Sequence, residues 1–254
     1  MLDKIKRISN KLVPTVFLLI FLVIWEGVIG LGGIEKYIMP APSDVIKAIF
    51  HDFNTLLPHI MATLYESIIG FLIAILLALM LAIIMDLVPI IKKGLYPLLV
   101  ISQTVPVIAL APLFIIWFGF GALPKIIVVV LVCFLPIVIS ISDGLESVDK
   151  DLINHFKLMG ASKFKIFFHL KLPYGIINFF SGVRIAATYS IMGAVIGEWL
   201  GGDKGLGVYM TRARSAYALD KMFGAIVMIV ILSMAIFFII GVVEKLVTPW
   251  NKKE

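Results

Sequence analysis

The stretch IMATLYESIIGFLIAILLALMLAIIM, Ile60–Met85, decides the fold. It holds one charged residue, Glu66. A helix needs roughly 20 mostly apolar residues to cross a bilayer. Strict alternation of apolar and polar residues, the mark of a membrane β-strand, is missing from it. The segment reads as a transmembrane helix, and five others resemble it. They run over about 12–33, 95–120, 125–142, 174–197 and 222–243. The whole chain agrees. Of its 254 residues 61% are hydrophobic and 15% charged, with a mean hydropathy of +1.09. Soluble domains are about 45–50% apolar and about 25% charged. A soluble enzyme or a nucleic-acid reader is excluded on that ground. The expected fold is an all-α membrane protein with six transmembrane helices, built as a single domain over 1–254.

The scarce charges carry orientation. With both termini cytoplasmic, about 14 Lys and Arg fall on the inner side, against about 7 outside. The inner set includes Lys4, Lys6, Arg7 and Lys11 of the amino-terminal tail and Lys252 and Lys253. The outer set includes Lys125, Lys204, Arg212 and Arg214. The tail followed by an apolar run resembles a signal peptide, but the run is long and lacks a small-x-small site, so it reads as a retained span. The net charge of +6 fits contact with anionic lipid rather than nucleic acid. The lone cysteine, Cys133, sits in an apolar run and reads as a buried small hydrophobe.

The third span departs from the rest. Gly94 to Pro124 is free of charge and contains Pro97, Pro106 and Pro112. A straight helix of that length would reach about 46 Å, beyond a hydrocarbon core of about 30 Å. Proline removes a backbone donor and clashes with the preceding turn, so a kinked or broken helix is expected. Freed backbone at membrane depth needs protein or water beside it. This places the segment in the bundle interior, near any pathway. Its polar cluster Ser102, Gln103 and Thr104 is the candidate gate or substrate-facing group, with Pro106 and Pro112 beside it. Local satisfaction of the kinked backbone is the alternative role.

Between spans four and five lies a polar loop, residues 143–173. Asp149 or Asp151 suits a helix start. Leu152, Phe156 and Met159 recur at helical spacing with Lys150, Asn154 and Lys157 between them, and Gly160 ends the helix. Ala161 and Ser162 open a second segment with Phe164, Phe167, Phe168 and Leu170 apolar and Lys163, Lys165 and Lys171 basic. Leu172-Pro173 closes the loop. Two jobs fit a helix–glycine–helix element of this kind: lying on anionic lipid, or offering a helix to a groove on a partner.

Gly160, nine residues, then Leu170, Lys171, Leu172 and Pro173 resembles the signature of permease subunits of ATP-binding-cassette importers. The Glu-Ala-Ala that precedes the family's glycine is replaced by Asn154, His155 and Phe156. Three more segments are similar to one branch, the nitrate, sulfonate and taurine permeases, which includes permeases for thiamine precursors and some for riboflavin. They are Met39–Ser43, Pro106–Leu113 with Trp117–Gly119, and Glu198 with the Gly201–Gly207 loop. The resemblance covers about Pro40 to the carboxyl terminus. It implies the type I importer permease fold and a coupling surface formed by Asp151, Asn154, His155, Phe156, Gly160, Ala161, Leu170, Leu172 and Pro173. It also implies a second permease copy, a cytoplasmic ATPase subunit that carries MgATP, and an extracytoplasmic substrate-binding protein. No cofactor on this chain and no nucleic-acid partner follow from it. The location implied is the cell membrane of a prokaryote. The implied cargo is an oxyanion or sulfonate, or a pyrimidine precursor of thiamine. A stand-alone, ion-coupled transporter is the alternative, but the paired mid-membrane acids it needs are not seen in the sequence.

Arg184 lies inside span five, where a charge costs about 2.5–3.5 kcal/mol unless it faces protein or water. It reads either as a pathway-lining cation that eases an anion or as a packing arginine. Glu198, at the outer end of that span, is placed to accept backbone N–H bonds from the glycine-rich loop and shape an outer gate, or to be solvated. Glu26 and Glu66 read as interfacial acids. Gly70, Gly182, Gly193, Ala186 and Ala187 fit close helix packing. The four histidines have no metal-site spacing. Gly201–Gly207 lacks the Gly-Lys-Ser/Thr ending of a nucleotide loop.

Overall fold

A computed structural model describes residues 2–250, with side chains described from Leu12 to Trp250. The basic tail side chains Lys4, Lys6, Arg7 and Lys11, and Lys252 and Lys253, lie outside the described residues. Among the described residues eleven α-helices form in chain order: α1 Leu2–Gly32, α2 Pro42–His51, α3 Phe53–Leu87, α4 Pro89–Ser102, α5 Val107–Phe118, α6 Ala122–Glu146, α7 Lys150–Leu158, α8 Lys163–Ile166, α9 Leu172–Leu200, α10 Leu206–Ser215 and α11 Leu219–Val247. A π-helical turn, Phe167–Lys171, joins α8 to α9. Among the described residues five stretches are long and apolar enough to cross a membrane, and a sixth is reached if the bent pair α4–α5 is one broken span.

The chain packs as two units. One comprises Met1–Pro58 with Tyr209–Met228. In it α1 and α2 are tied by Glu26. Its carboxylate accepts from the Ser43 hydroxyl at 2.8 Å and from the Ser43 backbone N–H at 3.0 Å. A carboxylate at a helix start satisfies an orphan donor and meets the positive end of the helix dipole. The interfacial acid is therefore a cap for α2. Asp52, between α2 and α3, accepts from the Tyr209 hydroxyl at 2.5 Å and pairs with Lys221 at 3.2 Å. Burial pushes the Asp52 carboxyl up, but these two partners outweigh it and hold the group below its ordinary range.

The second unit, His59–Val208 with Ile229–Glu254, centres on α6 packed along α9. Small residues permit the approach. A Cβ at Gly182 would lie 2.7 Å from Ser140 Cβ, and one at Gly193 would lie 3.2 Å from Val129 Cα. On α3, a Cβ at Gly70 would fall 2.6 Å from Val129 Cβ. Ala186, Ala187 and Cys133 are fully buried in the same core. Helices in lipid have no hydrophobic drive toward one another, so close backbone packing of small residues replaces it.

Span three is not one interior helix. Three successive short-range turns, ending in the Val105 N–H to the Ser102 carbonyl at 3.2 Å, lead into Pro106. Pro106, lacking an N–H, starts α5 at a bend of 101° from α4. Pro97 and Pro112 are carried inside their helices. Within the single chain α4 has no buried residue, and α5 buries only Ala111 and Phe114. The expected interior position is therefore not met by this chain alone. The prolines did predict the break, because a proline leaves the preceding turn without its hydrogen bond.

The expected start of span five at Tyr174 is also moved. Lys163–Leu200 is one helical stretch, so the second half of the polar loop belongs to it. The Leu172 N–H bonds to the Phe167 carbonyl five residues back. This widened turn absorbs Pro173, which would clash in an α-helical one.

Candidate functional site

Two constellations occupy opposite ends of α9. At its start, Asp149 caps α7 by accepting the Asp151 N–H at 2.8 Å. The helix ends at Gly160, which has φ +77°. There the Ala161 N–H reaches the Phe156 carbonyl at 3.0 Å and the Gly160 N–H reaches the Lys157 carbonyl at 2.9 Å. These two bonds, with glycine left-handed just past the cap, make a Schellman turn. Its usual apolar contact is present. Phe156, Ala161 and Ile153 pack on Val148, Ile166 and Leu170. Ser162 then caps α8 by accepting the Lys165 N–H at 3.3 Å.

This fixes which side chains face out. The inward face of α7 is Ile153 and Phe156. The expected stripe of Leu152, Phe156 and Met159 does not form, because the turn after Met159 points that residue away. Leu158 and Met159 are about 85% exposed and Phe164 is 66% exposed. Asp151, Asn154 and His155 are exposed as well, and Leu172 and Pro173 are half-buried at the start of α9. The motif residues Phe156, Gly160, Ala161 and Leu170 thus build the turn, and it displays an apolar tip ringed by lysines.

At the far end of α9 is a buried polar network. His59, Thr63 and Glu66 lie on one face of α3 at helical spacing. Lys125 opens α6 and Glu198 closes α9; they are 4% and 2% exposed. The Lys125 ammonium donates to Glu66 Oε1 at 2.7 Å and to the Lys204 carbonyl at 3.3 Å. Thr63 donates its hydroxyl to Glu198 Oε1 at 2.6 Å and accepts the Leu206 N–H at 2.9 Å. The Gly207 N–H donates to Glu198 Oε2 at 2.7 Å. His59 Nδ1 lies 2.8 Å from the Gly205 carbonyl and 3.0 Å from its N–H, and the ring tautomer selects the bond. Gly205 has φ +126°, and a Cβ there would sit 2.1 Å from the Glu198 carboxyl carbon. The loop is therefore clamped, and Glu198 accepts a backbone N–H from it as its position suggested.

Two sequence readings are sharpened here: Glu66 and Lys125, read as interfacial and outer-side charges, are buried and paired with each other. Burial of either alone is costly, so they are paired. The i, i+4, i+7 spacing of His59, Thr63 and Glu66 in the first half of α3 is the signal that a polar face lies there.

The remaining candidates separate. Ser102, Gln103, Thr104, Pro106 and Pro112 are exposed on the single chain. The hydroxyls of Ser102 and Thr104 donate to the carbonyls of Leu99 and Ile101, at 2.7 and 2.8 Å. Arg184 is joined to Glu244 of α11 at 2.6 Å, with its guanidinium 5.6 Å from the centre of the Phe237 ring. Gly241 lies between these two α11 residues in sequence and leaves room for the arginine. Among the described residues no cluster of His, Cys, Asp and Glu could hold a metal ion.

The described residues form an all-helical bundle with a bent α4–α5 pair and a helix–glycine–helix loop that runs into a long apolar helix. The chain belongs to the family of binding-protein-dependent transport system inner membrane components, whose model matches residues 70–253. The formylaminopyrimidine transport permease protein ThiX of Halalkalibacterium halodurans is 36% identical over 98% of this chain and 100% of its own. The riboflavin transport system permease protein RibX of Chloroflexus aurantiacus is 34% identical over 93% and 89%. The taurine transport system permease protein TauC of Escherichia coli is 27% identical over 92% and 88%. In fold, the chain is similar to a chain of the MetNI methionine ABC transporter in an inward-facing conformation. That match has a TM-score of 0.60 and 20% identity, and covers 76% of this chain and 94% of the other.

The chain is therefore an ABC importer permease subunit with the type I permease fold, and ATP is hydrolysed by a separate ATPase subunit. The family assignment displaces the ion-coupled alternative.

Proposed function

We propose that this permease serves an importer of a small N-heteroaromatic solute of the formylaminopyrimidine kind. The carrying observation is the match to ThiX over essentially the full length of both chains. The chemistry of span five supports it. Arg184, the residue that would ease an anion through the bilayer, is neutralised by Glu244. A sulfonate or other oxyanion is the second reading, favoured by the taurine permease, which is less similar.

The coupling surface in this reading is the Schellman turn of α7 and α8. Its exposed tip of Leu158, Met159 and Phe164 suits an apolar groove on the ATPase subunit, and the exposed Lys165 beside it suits an acidic rim. Because Lys163–Leu200 is one helical stretch, a push on the tip travels directly into α9 and its partner α6. MgATP belongs to the ATPase subunit. A second permease copy completes the pathway, covering the exposed face of α5. An extracytoplasmic binding protein delivers solute, both termini face the cytoplasm, and residues 1–254 act as one permease domain in a prokaryotic cell membrane.

The test is ATP hydrolysis by the reconstituted complex in liposomes, with its binding protein and a ligand panel. Stimulation by a formylaminopyrimidine and not by taurine is expected. Stimulation by taurine alone would overturn the cargo assignment. Absence of any docked ATPase would overturn the coupling surface.

A further inference from the structure

Two adjoining cavities open beside the coupling loop, of about 470 and 350 Å³. They share Asp86, Pro89 and Lys171. The larger is walled by Lys92 and Lys93 of α4 with Tyr96, and the smaller by Lys157 and Lys163. Five lysines thus face two acids, Asp86 and Glu146. Both acids are already paired, Asp86 with Lys171 at 2.6 Å and Glu146 with Lys92 at 2.7 Å. Lys93, Lys157 and Lys163 have no acidic partner among the described residues. The site carries an excess of three positive charges around an open volume.

One edge of this site is apolar. Ile90, Pro97 and Ile101 form a stripe along α4 beside Lys93; Pro97 lines the larger cavity, and Ile90 and Ile101 are 74% and 62% exposed. A free phosphate would use the cavities and ignore that stripe. A phospholipid would use both, with its headgroup among the lysines and its chains along α4.

We propose that the cavities hold the headgroup of an anionic diacyl phospholipid, of the phosphatidylglycerol type. Its phosphate lies among Lys93, Lys157 and Lys163, so one lipid bridges α4 to the coupling loop. The anchor ties the position of the loop to the membrane surface. It does not depend on the cargo reading.

Native mass spectrometry of the detergent-solubilised full-length permease tests this. Dioleoyl phosphatidylglycerol and phosphatidylcholine are supplied in equal amounts, with and without excess inorganic phosphate. The wild type is expected to retain one phosphatidylglycerol in preference, phosphate notwithstanding. Charge contacts of this kind near a membrane surface are each equivalent to about a five-fold change in binding. Lys93→Gln and Lys157→Gln should each weaken retention by about that factor, and the triple variant with Lys163→Gln should abolish the preference. Lys47→Gln, on α2, should retain lipid like the wild type. Thermal melting of the triple variant without lipid should match the wild type, and only the wild type should gain stability from phosphatidylglycerol. Equal retention of the two lipids by the wild type, or displacement of phosphatidylglycerol by inorganic phosphate, would overturn the proposal. So would a triple variant that keeps the preference.

Discussion

Replacing Gly160 isolates the turn that is proposed to present the coupling tip. Its φ of +77° lies in the left-handed region, and a Cβ there would meet nothing within 4 Å. The cost of a side chain is therefore conformational and not steric. For an ordinary L-residue it is about 1–2 kcal/mol, and β-branched residues are the worst case. Asparagine tolerates the left-handed conformation. The expected order of turn stability is Gly, then Asn, then Ala, then Val. One to two kcal/mol corresponds to roughly a 5–30-fold change in population. If only the closed turn docks, Gly160→Val should lower ligand-stimulated ATP hydrolysis by about that factor. The assay is the reconstituted complex in liposomes, with and without binding protein and solute. The melting temperature of the permease alone is measured in parallel. Helices α6 and α9 do not include residue 160, so melting should change little. Gly160→Asn should restore most of the coupling. Equal coupling in the Val, Asn and wild-type proteins would refute the assignment of the turn as the docking element.

Three further outcomes are expected. Lys125→Met leaves Glu66 and Glu198 buried without their cation and should cost about 3–5 kcal/mol by thermal melting. Lys125→Met with Glu66→Gln should recover most of it; no recovery would sink the ion-pair reading. Arg184→Gln should destabilise by leaving Glu244 unpaired, and the double variant with Glu244→Gln should melt near the wild type with transport intact. A selective loss of anion transport at unchanged stability would instead assign Arg184 to the pathway. Asp52 is held below its ordinary value of 3.8, so its contribution is present above that pH and lost as pH falls through its lowered folded value. Asp52→Asn should therefore melt lower than the wild type at pH 7, with the gap closing below pH 3.8; a gap that is constant with pH would exclude the charge as its cause.

What the sequence made legible follows from how local each signal is. Apolar length alone gives a span, so α1, α3, α6, α9 and α11 were readable to within a few residues at most ends. The helix stop at Gly160 and a start at Asp149 or Asp151 were readable because a turn and its cap are written within a dozen residues. The break at Pro106 was readable for the same reason, yet the side on which the broken span lies was not. Its three prolines fix backbone geometry and say nothing about which surface meets α4. The misreadings of Glu66 and Lys125 have one cause. Each was judged by its distance from the end of its own span. Their burial depends on a partner 59 positions away in the chain. A charge near a helix end is solvated if nothing faces it, and locked if its complement does. The period of His59, Thr63 and Glu66 showed that α3 carries a polar face, and a polar face in a membrane helix must be answered by another helix. The start of α6 and the end of α9 supply that answer, so the Gly201–Gly207 loop is held by three of the long apolar helices. Any displacement that enters at the Gly160 turn and runs along α9 therefore arrives at Glu198 and the loop it clamps.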